Sequence, residues 1–234
     1  MTLTSSGEDK TLGSPSGSPA GHVRVASWNL LRRVGARAQD VARLIERYHP
    51  DLVLLQEATE EISQLPSLVG GHFFRHPMQK RIYGLAAWSP HPFPPTSALH
   101  LPMSVLPAAV PRRMAQIVKF HGISFANVHL SHGQFLNRFQ LAHIANALEG
   151  PAVIMGDFNA VGPIVMPEFR DIGPRQWTHK SANVVSLRLD RCMGRDVRCI
   201  HAAVLDKGPS DHHPILLELM HAAHQLPSRA SRVP

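Results

Sequence analysis

Two short stretches of this chain set carboxylates beside hydrogen-bonding side chains at the ends of apolar runs. Ala152-Val153-Ile154-Met155 leads into Gly156-Asp157-Phe158-Asn159, and Ser210-Asp211-His212-His213-Pro214 leads into Ile215-Leu216-Leu217. Apolar runs of this kind suit buried strands. A buried strand end is a costly place for a carboxylate unless it is paired or holds a metal ion. The two tips therefore point to an active site in which acid, amide and imidazole groups are available together.

The elements that must position these residues can be read along the chain. Val23 to Trp28 alternates in character and reads as a strand, with Asn29 just past it. Residues 38–48 carry Val41, Leu44, Ile45 and Tyr48 at helical spacing, and His49-Pro50 stops that helix. Residues 51–56 form an apolar run with Glu57 at its end, and residues 83–88 suggest a further strand. The Pro-rich stretch 90–111 reads as loop with at most short extended pieces. Residues 115–120 and 123–128 flank His121-Gly122, a hairpin signal, and the second strand delivers His129. Residues 138–149 predict a second helix closed by Gly150-Pro151, residues 187–192 a strand carrying Asp190, and residues 215–219 the last strand.

Asn29, Glu57, His129 and Asp157 thus fall at the C-terminal ends of four separate strands, and Asp211 and His212 precede a fifth. Strand-end loops on a rigid scaffold are where catalytic groups collect. Each residue alone has a structural alternative. Asn29 can be a turn residue, His129 a hydrogen-bonded core histidine, and Asp157 with Asn159 an Asx-type turn. Asp190 can pair with Arg188 or Arg191. His132 raises the idea of a zinc site, but no Cys/His cluster accompanies it.

Taken in order, Ser27-Trp28-Asn29, Gln56-Glu57, Asn127-Val128-His129-Leu130, Gly156 to Asn159, Leu189-Asp190 and Ser210-Asp211-His212 resemble the endonuclease/exonuclease/phosphatase superfamily. The resemblance covers residues 27–212. It implies an α/β fold, a four-layer α/β/β/α sandwich with two packed mixed sheets. It also implies a phosphoric ester hydrolase using Mg2+, with Mn2+ an alternative. Carried over residue by residue, Asn29, Glu57 and Asp211 are the metal set. Asp157 orients or deprotonates the attacking water, and Asn159 holds a phosphoryl oxygen. His212 with Asp190 forms a His–Asp pair, and His129 donates to the phosphate or leaving oxygen. Arg113 and Arg138 are candidate contacts for an anionic substrate.

Composition bounds the rest. The 234 residues, 44% hydrophobic, suffice for one large core, and a formal charge of +7 suits a polyanionic partner. That partner can be nucleic acid, the first expectation, or an anionic membrane, phospholipid headgroup or small phosphorylated metabolite. A non-catalytic polyanion-binding protein is a third reading. Leu31, where abasic-site enzymes of the superfamily are acidic, and the shortness of the chain argue against a dedicated repair nuclease. With no secretory signal, no run near the roughly 18 apolar residues of a membrane span, and two cysteines without metal or redox spacing, a cytoplasmic setting is expected. Residues 1–22 and 221–234 read as flexible tails around a domain at 23–220. The sequence gives no sign of subunit number.

Overall fold

The computed structural model describes residues 22–103, 112–181 and 184–221, which form two mixed β-sheets packed face to face with a helix on each outer side. The first sheet contains β1 (His22–Asn29), β2 (Leu52–Thr59), β3 (His72–Pro77), β4 (Tyr83–Ser89), β13 (Val197–Val204) and β14 (Ile215–His221). The second contains β5 (Ser97–His100), β6 (Met114–Phe120), β7 (Ile123–His129), β8 (Ala152–Asp157), β9 (Arg170–Asp171) and β12 (Asp190–Arg195). A separate hairpin joins β10 (His179–Ser181) to β11 (Val185–Leu187). Apart from His22 and His221, which are strand residues, both expected tails lie outside the described residues.

Both sheets repeat one pairing pattern. The orders are β13-β14-β1-β2-β4-β3 and β5-β6-β7-β8-β12-β9. In each, only the central pair is parallel. A parallel pair cannot be joined by a tight turn, so each needs a crossover. α1 (Ala38–Tyr48) connects β1 to β2, and α3 (Gln134–Ala147) connects β7 to β8; a short α2 (Leu65–Val69) follows β2.

Three apolar layers result. Val41, Leu44 and Ile45 of α1 meet Ala26, Val53 and Trp88 on the outer face of the first sheet. Val25, Leu54 and Leu217 meet Phe125, Val153 and Met155 between the sheets. Leu141 and Ile144 of α3 meet Ala126, Val128 and Ile154 outside the second sheet. Alternate strand residues face opposite layers, as a period of two requires.

The inter-sheet layer also contains polar groups. Asn127 donates to the carbonyls of Leu55 (3.1 Å) and Ala86 (3.0 Å) and to Gln116 Oε1 (3.1 Å), and it accepts from Gln56 Nε2 (2.7 Å). Gln56 and Asn127 of the sequence motifs therefore tie the sheets together just beneath the strand tips. Buried amides are tolerated here because their partners are in place.

Several elements depart from the sequence expectations. α3 begins four residues earlier than predicted, at Gln134. Asp190 opens its strand rather than sitting within it, and the predicted strand start at Leu187 is instead the end of β11. The 90–111 stretch contains β5, and residues 104–111 lie outside the described residues. The two cysteines are free thiols. Among the described residues no helix is long and apolar enough to cross a membrane.

Candidate active site

The central strands of both sheets end at one edge, in matched register. Asn29 lies opposite Gln56 in the first sheet, and His129 opposite Asp157 in the second. Asp190, on the antiparallel neighbour, is also opposite Asp157. The β8 end approaches its neighbour closely: a Cβ at Gly156 would lie 2.2 Å from the Val128 carbonyl oxygen, and φ there is +141°. Only glycine fits that backbone.

Asp157 is buried at the centre. Asn29 Nδ2 donates to its Oδ2 at 2.9 Å, and the Asn159 amide donates to its Oδ1 at 2.9 Å. The latter bond is an Asx-type turn, with Asn159 at φ +47°. The turn alternative and the site are thus the same structure. His129 Nε2 lies 3.5 Å and His212 Nε2 3.8 Å from Asp157 Oδ2. Asn159 Nδ2 is shared between the Leu130 carbonyl (3.0 Å) and Asp157 (3.4 Å).

His212 is fixed from three sides. Its Nδ1 lies 2.8 Å from Asp190 Oδ2. Its carbonyl accepts the Trp28 indole N–H at 3.0 Å, and its amide donates to Ser210 Oγ at 3.1 Å. Ser210 Oγ in turn donates to the Asn29 carbonyl at 2.7 Å. Asp190 does not pair with Arg188 or Arg191; those arginines turn instead to Asp171, at 2.6 and 3.6 Å.

The electrostatics separate the two histidines. Burial disfavours the His212 cation, but the Asp190 charge and hydrogen bond, with Asp157 and Asp211 behind them, push its pKa up to about 10. Burial, with Arg113 and His212 nearby, holds His129 well below 6.5. Burial raises Asp157, against the lowering effect of His212. At neutral pH His212 is therefore an imidazolium and His129 a neutral ring.

Glu57 faces the cleft from a different construction. β2 continues two residues past it to Thr59, so it is not the strand end the sequence suggested. The β2–β4 register shifts between Leu55 and Ala58, and Glu57 sits there at φ +54°. Such a bulge re-aims a side chain out of the pleat. Burial raises its pKa above 4.5, opposed by Arg32, whose Nε is 3.9 Å from Oε2. That Oε2 is buried without a hydrogen bond.

The cleft has a volume of about 390 Å³ and is lined by Asn29, Glu57, His129, Asp157, Asn159, Asp211 and His212, with Leu31, His132, Val161, His179, Leu187 and Leu189 at its sides. A larger hollow of about 550 Å³ lies against α1 and does not include these tips. Of the sequence-based candidates, Asp190 stands behind His212 rather than on the cleft. Arg113 is buried behind Glu57 and Asp157, with Nε and Nη1 unpartnered, and burial lowers its pKa. Arg138 is exposed on α3 and borders a neighbouring hollow, not the cleft. The sequence missed His179, whose Nδ1 is 3.8 Å from Asp211 Oδ2.

Among the described residues, two groups of side chains bring possible cation donors within 4.8 Å of one another: Asp157, Asp190 and His212, and His179, Asp211 and His212. Glu57 belongs to neither, although it faces the same cleft. Asn29 spends its amide nitrogen on Asp157, and its Oδ1 accepts the Leu31 amide at 3.1 Å.

Comparisons with known proteins bear on the fold and the family. No curated protein matches the sequence. A functionally unknown conserved protein from Enterococcus faecalis V583 superposes with a TM-score of 0.70 at 20% identity, over 85% of this chain and 99% of that one. A humanized TDP2 from D. rerio gives 0.69 at 18%, over 86% and 99%. The mannosyl-6-phosphatase Bt3783 of Bacteroides thetaiotaomicron gives 0.68 at 17%, over 85% and 99%. At these identities the likeness is one of fold. The model of the Endonuclease/Exonuclease/phosphatase family matches residues 26–212, most of the chain and every strand tip described above, and the chain belongs to that family.

Proposed function

We propose that this protein is a divalent-metal-dependent hydrolase that cleaves phosphodiester bonds of nucleic acid. The family makes it a phosphoester hydrolase. The observation that carries the finer reading is Asp157 set between a charged and a neutral histidine at the floor of an open cleft.

A divalent cation fits the Glu57 end. Glu57 Oε2 and Asp211 Oδ1 are buried carboxylate oxygens with no hydrogen-bond partner, and oxygen donors suit Mg2+ or Mn2+. The Asn29 oxygen is the third candidate donor. When bound, such an ion neutralises charge on the phosphoryl group.

The protein's own groups divide the remaining work. Asp157 accepts the proton of the attacking water, and its raised pKa brings it nearer the range a general base needs. His212 meets a phosphoryl oxygen as a cation, with Asp190 fixing its tautomer and sustaining its charge. His129, neutral, supplies a single N–H to the phosphate or leaving oxygen. Asn29 holds Asp157 in place. Asn159 does the same, a role preferred over gripping phosphate because its amide nitrogen already serves Leu130 and Asp157. Arg113 offsets the carboxylate charge from behind.

Net charge favours nucleic acid, since phosphate contacts dominate its affinity. A small phosphorylated metabolite or a phospholipid headgroup is the second reading, favoured by the compact cleft with Leu31, Val161, Leu187 and Leu189 at its sides. Neighbours named TDP2 and mannosyl-6-phosphatase are compatible with either. The test is a panel of single- and double-stranded DNA, RNA, phospholipid vesicles and activated mono- and diesters, each with Mg2+, Mn2+ or chelator. Metal-dependent cleavage of a nucleic acid is the expected result. Preference for a monoester or a headgroup would favour the second reading. No turnover of any substrate would leave a polyanion-binding protein.

A further inference from the structure

His179 lies in none of the motifs that define the site, yet the fold brings it there firmly. The Thr178 carbonyl accepts the His213 amide at 2.7 Å, and His179 forms a lone β-bridge with His212. Thr178 Oγ1 accepts the amides of Leu189 and Asp190, at 3.1 and 3.0 Å. The start of the β10–β11 hairpin is thereby fastened to both segments that bear the His212–Asp190 pair. The two imidazoles end 4.4 Å apart, inclined at 40°.

We infer that His179, Asp211 and His212 form a second cation site for a nitrogen-seeking divalent ion such as Zn2+ or Co2+, one that shares Asp211 with the Glu57 end but does not use Glu57 itself. Three observations carry this. The three donor atoms lie within 4.8 Å of one another. His179 Nδ1 and Asp211 Oδ1 are buried without hydrogen-bond partners, so donors already face the position. His212 turns Nε2 to the cleft because Nδ1 is held by Asp190, and a carboxylate behind an imidazole orients that ring as a metal ligand. Two imidazoles and one carboxylate suit zinc-type ions, whereas Mg2+ prefers oxygen alone. Three protein donors leave a position open for water or a phosphoryl oxygen. An ion here takes the place of the proton on His212 Nε2, which is released to solvent, and uses the same nitrogen that meets phosphate in the proposed reaction, so the two occupants exclude each other.

The experiment uses untagged, metal-stripped full-length protein. Co2+ is followed by its visible absorption and Zn2+ by calorimetry, in wild type, His179→Ala, His179→Gln and Glu57→Gln, with folding checked by circular dichroism. The expected result is one strong equivalent in wild type, unchanged in Glu57→Gln and weakened at least about tenfold in whichever His179 variants fold. The inference is overturned if wild type binds neither ion, if the folded His179 variants bind as wild type does, or if Glu57→Gln alone removes the binding. An ordinary His–Asp contact would give the second of these results. None of these readouts depends on turnover, so the outcome is separable from that of the proposed activity.

Discussion

The two sheets share one strand plan, yet their central tips are finished differently. In the second sheet β7 and β8 stay in register to their last residues, so His129 and Asp157 arrive paired and buried. In the first sheet the β2–β4 ladder slips, and Glu57 leaves the pleat through a bulge with one carboxylate oxygen unpartnered. Asp157 is satisfied by protein groups, Asn29 and Asn159 among them. Glu57 has, among the described residues, one ion pair, to Arg32 at 3.9 Å. One half is therefore preorganised by the protein itself, and the other is left incomplete in a way that a cation would complete. A regular ladder supplies proton and phosphate chemistry here, and a broken one supplies a ligand.

The sharpest way to break the contrast is to remove the centre of the satisfied half. Asp157→Ala is expected to lower kcat/KM on a phosphodiester by about a thousandfold or more, on the order of 4 kcal/mol. The far-ultraviolet spectrum should remain that of wild type. A variant with near-wild-type turnover would end the base assignment.

Breaking the incomplete half should look different. Glu57→Gln is expected to raise the metal concentration for half-maximal rate by roughly 10- to 100-fold while recovering much of its rate at saturating Mg2+. Metal should also raise Tm in wild type more than in Glu57→Gln, since an ion that binds only the folded state stabilises it by mass action. Equal metal curves for the two proteins would place the ion elsewhere.

The pH dependence sharpens the comparison within the second half. His212 has a folded pKa of about 10, above 6.5, so its stabilising contribution is complete below 6.5 and is lost as pH rises through about 10. His129 is depressed below 6.5, so it costs stability as pH falls below 6.5, where the unfolded chain takes up the proton first. Stability and rate should thus hold across neutral pH. Asp190→Asn removes the leading favourable partner of the His212 charge and should pull the alkaline limb of kcat/KM toward neutrality, with about a tenfold loss near pH 9. An unmoved limb would mean that a group other than His212 sets it.

Legibility in the sequence followed burial. β1, β2, β7 and β8 are central strands with long apolar runs, and Asn29, His129 and Asp157 stand at three of their ends as those runs predict, whereas Glu57 lies two residues inside the end of β2. β3 and β13 went unread because they are the two edges of the first sheet, half-exposed and interrupted by Arg and His. Edge strands bury too little to impose a clear pattern. The bulge at Glu57 arises from pairing with β4, which no local spacing reveals. His179 was missed for a related reason: its neighbours Trp177 and Lys180 are exposed, and its place is set by a bridge to His212. Arg113 is buried behind the carboxylates and Arg138 lies outside the cleft, positions that charge alone does not predict.

That last difference gives the smallest expected effect and a check on where substrate binding ends. Arg138 is exposed on α3, and its hollow shares only Val161 with the lining of the cleft. A solvated arginine at that distance acts through screened charge, worth well under about 1 kcal/mol at physiological salt. Arg138→Ala should therefore leave kcat unchanged and raise KM for an oligonucleotide by no more than about threefold, an effect that vanishes as salt is added. A large, salt-insensitive rise in KM would mean that the substrate runs from the cleft over Val161 onto α3, extending the satisfied half well beyond the strand tips.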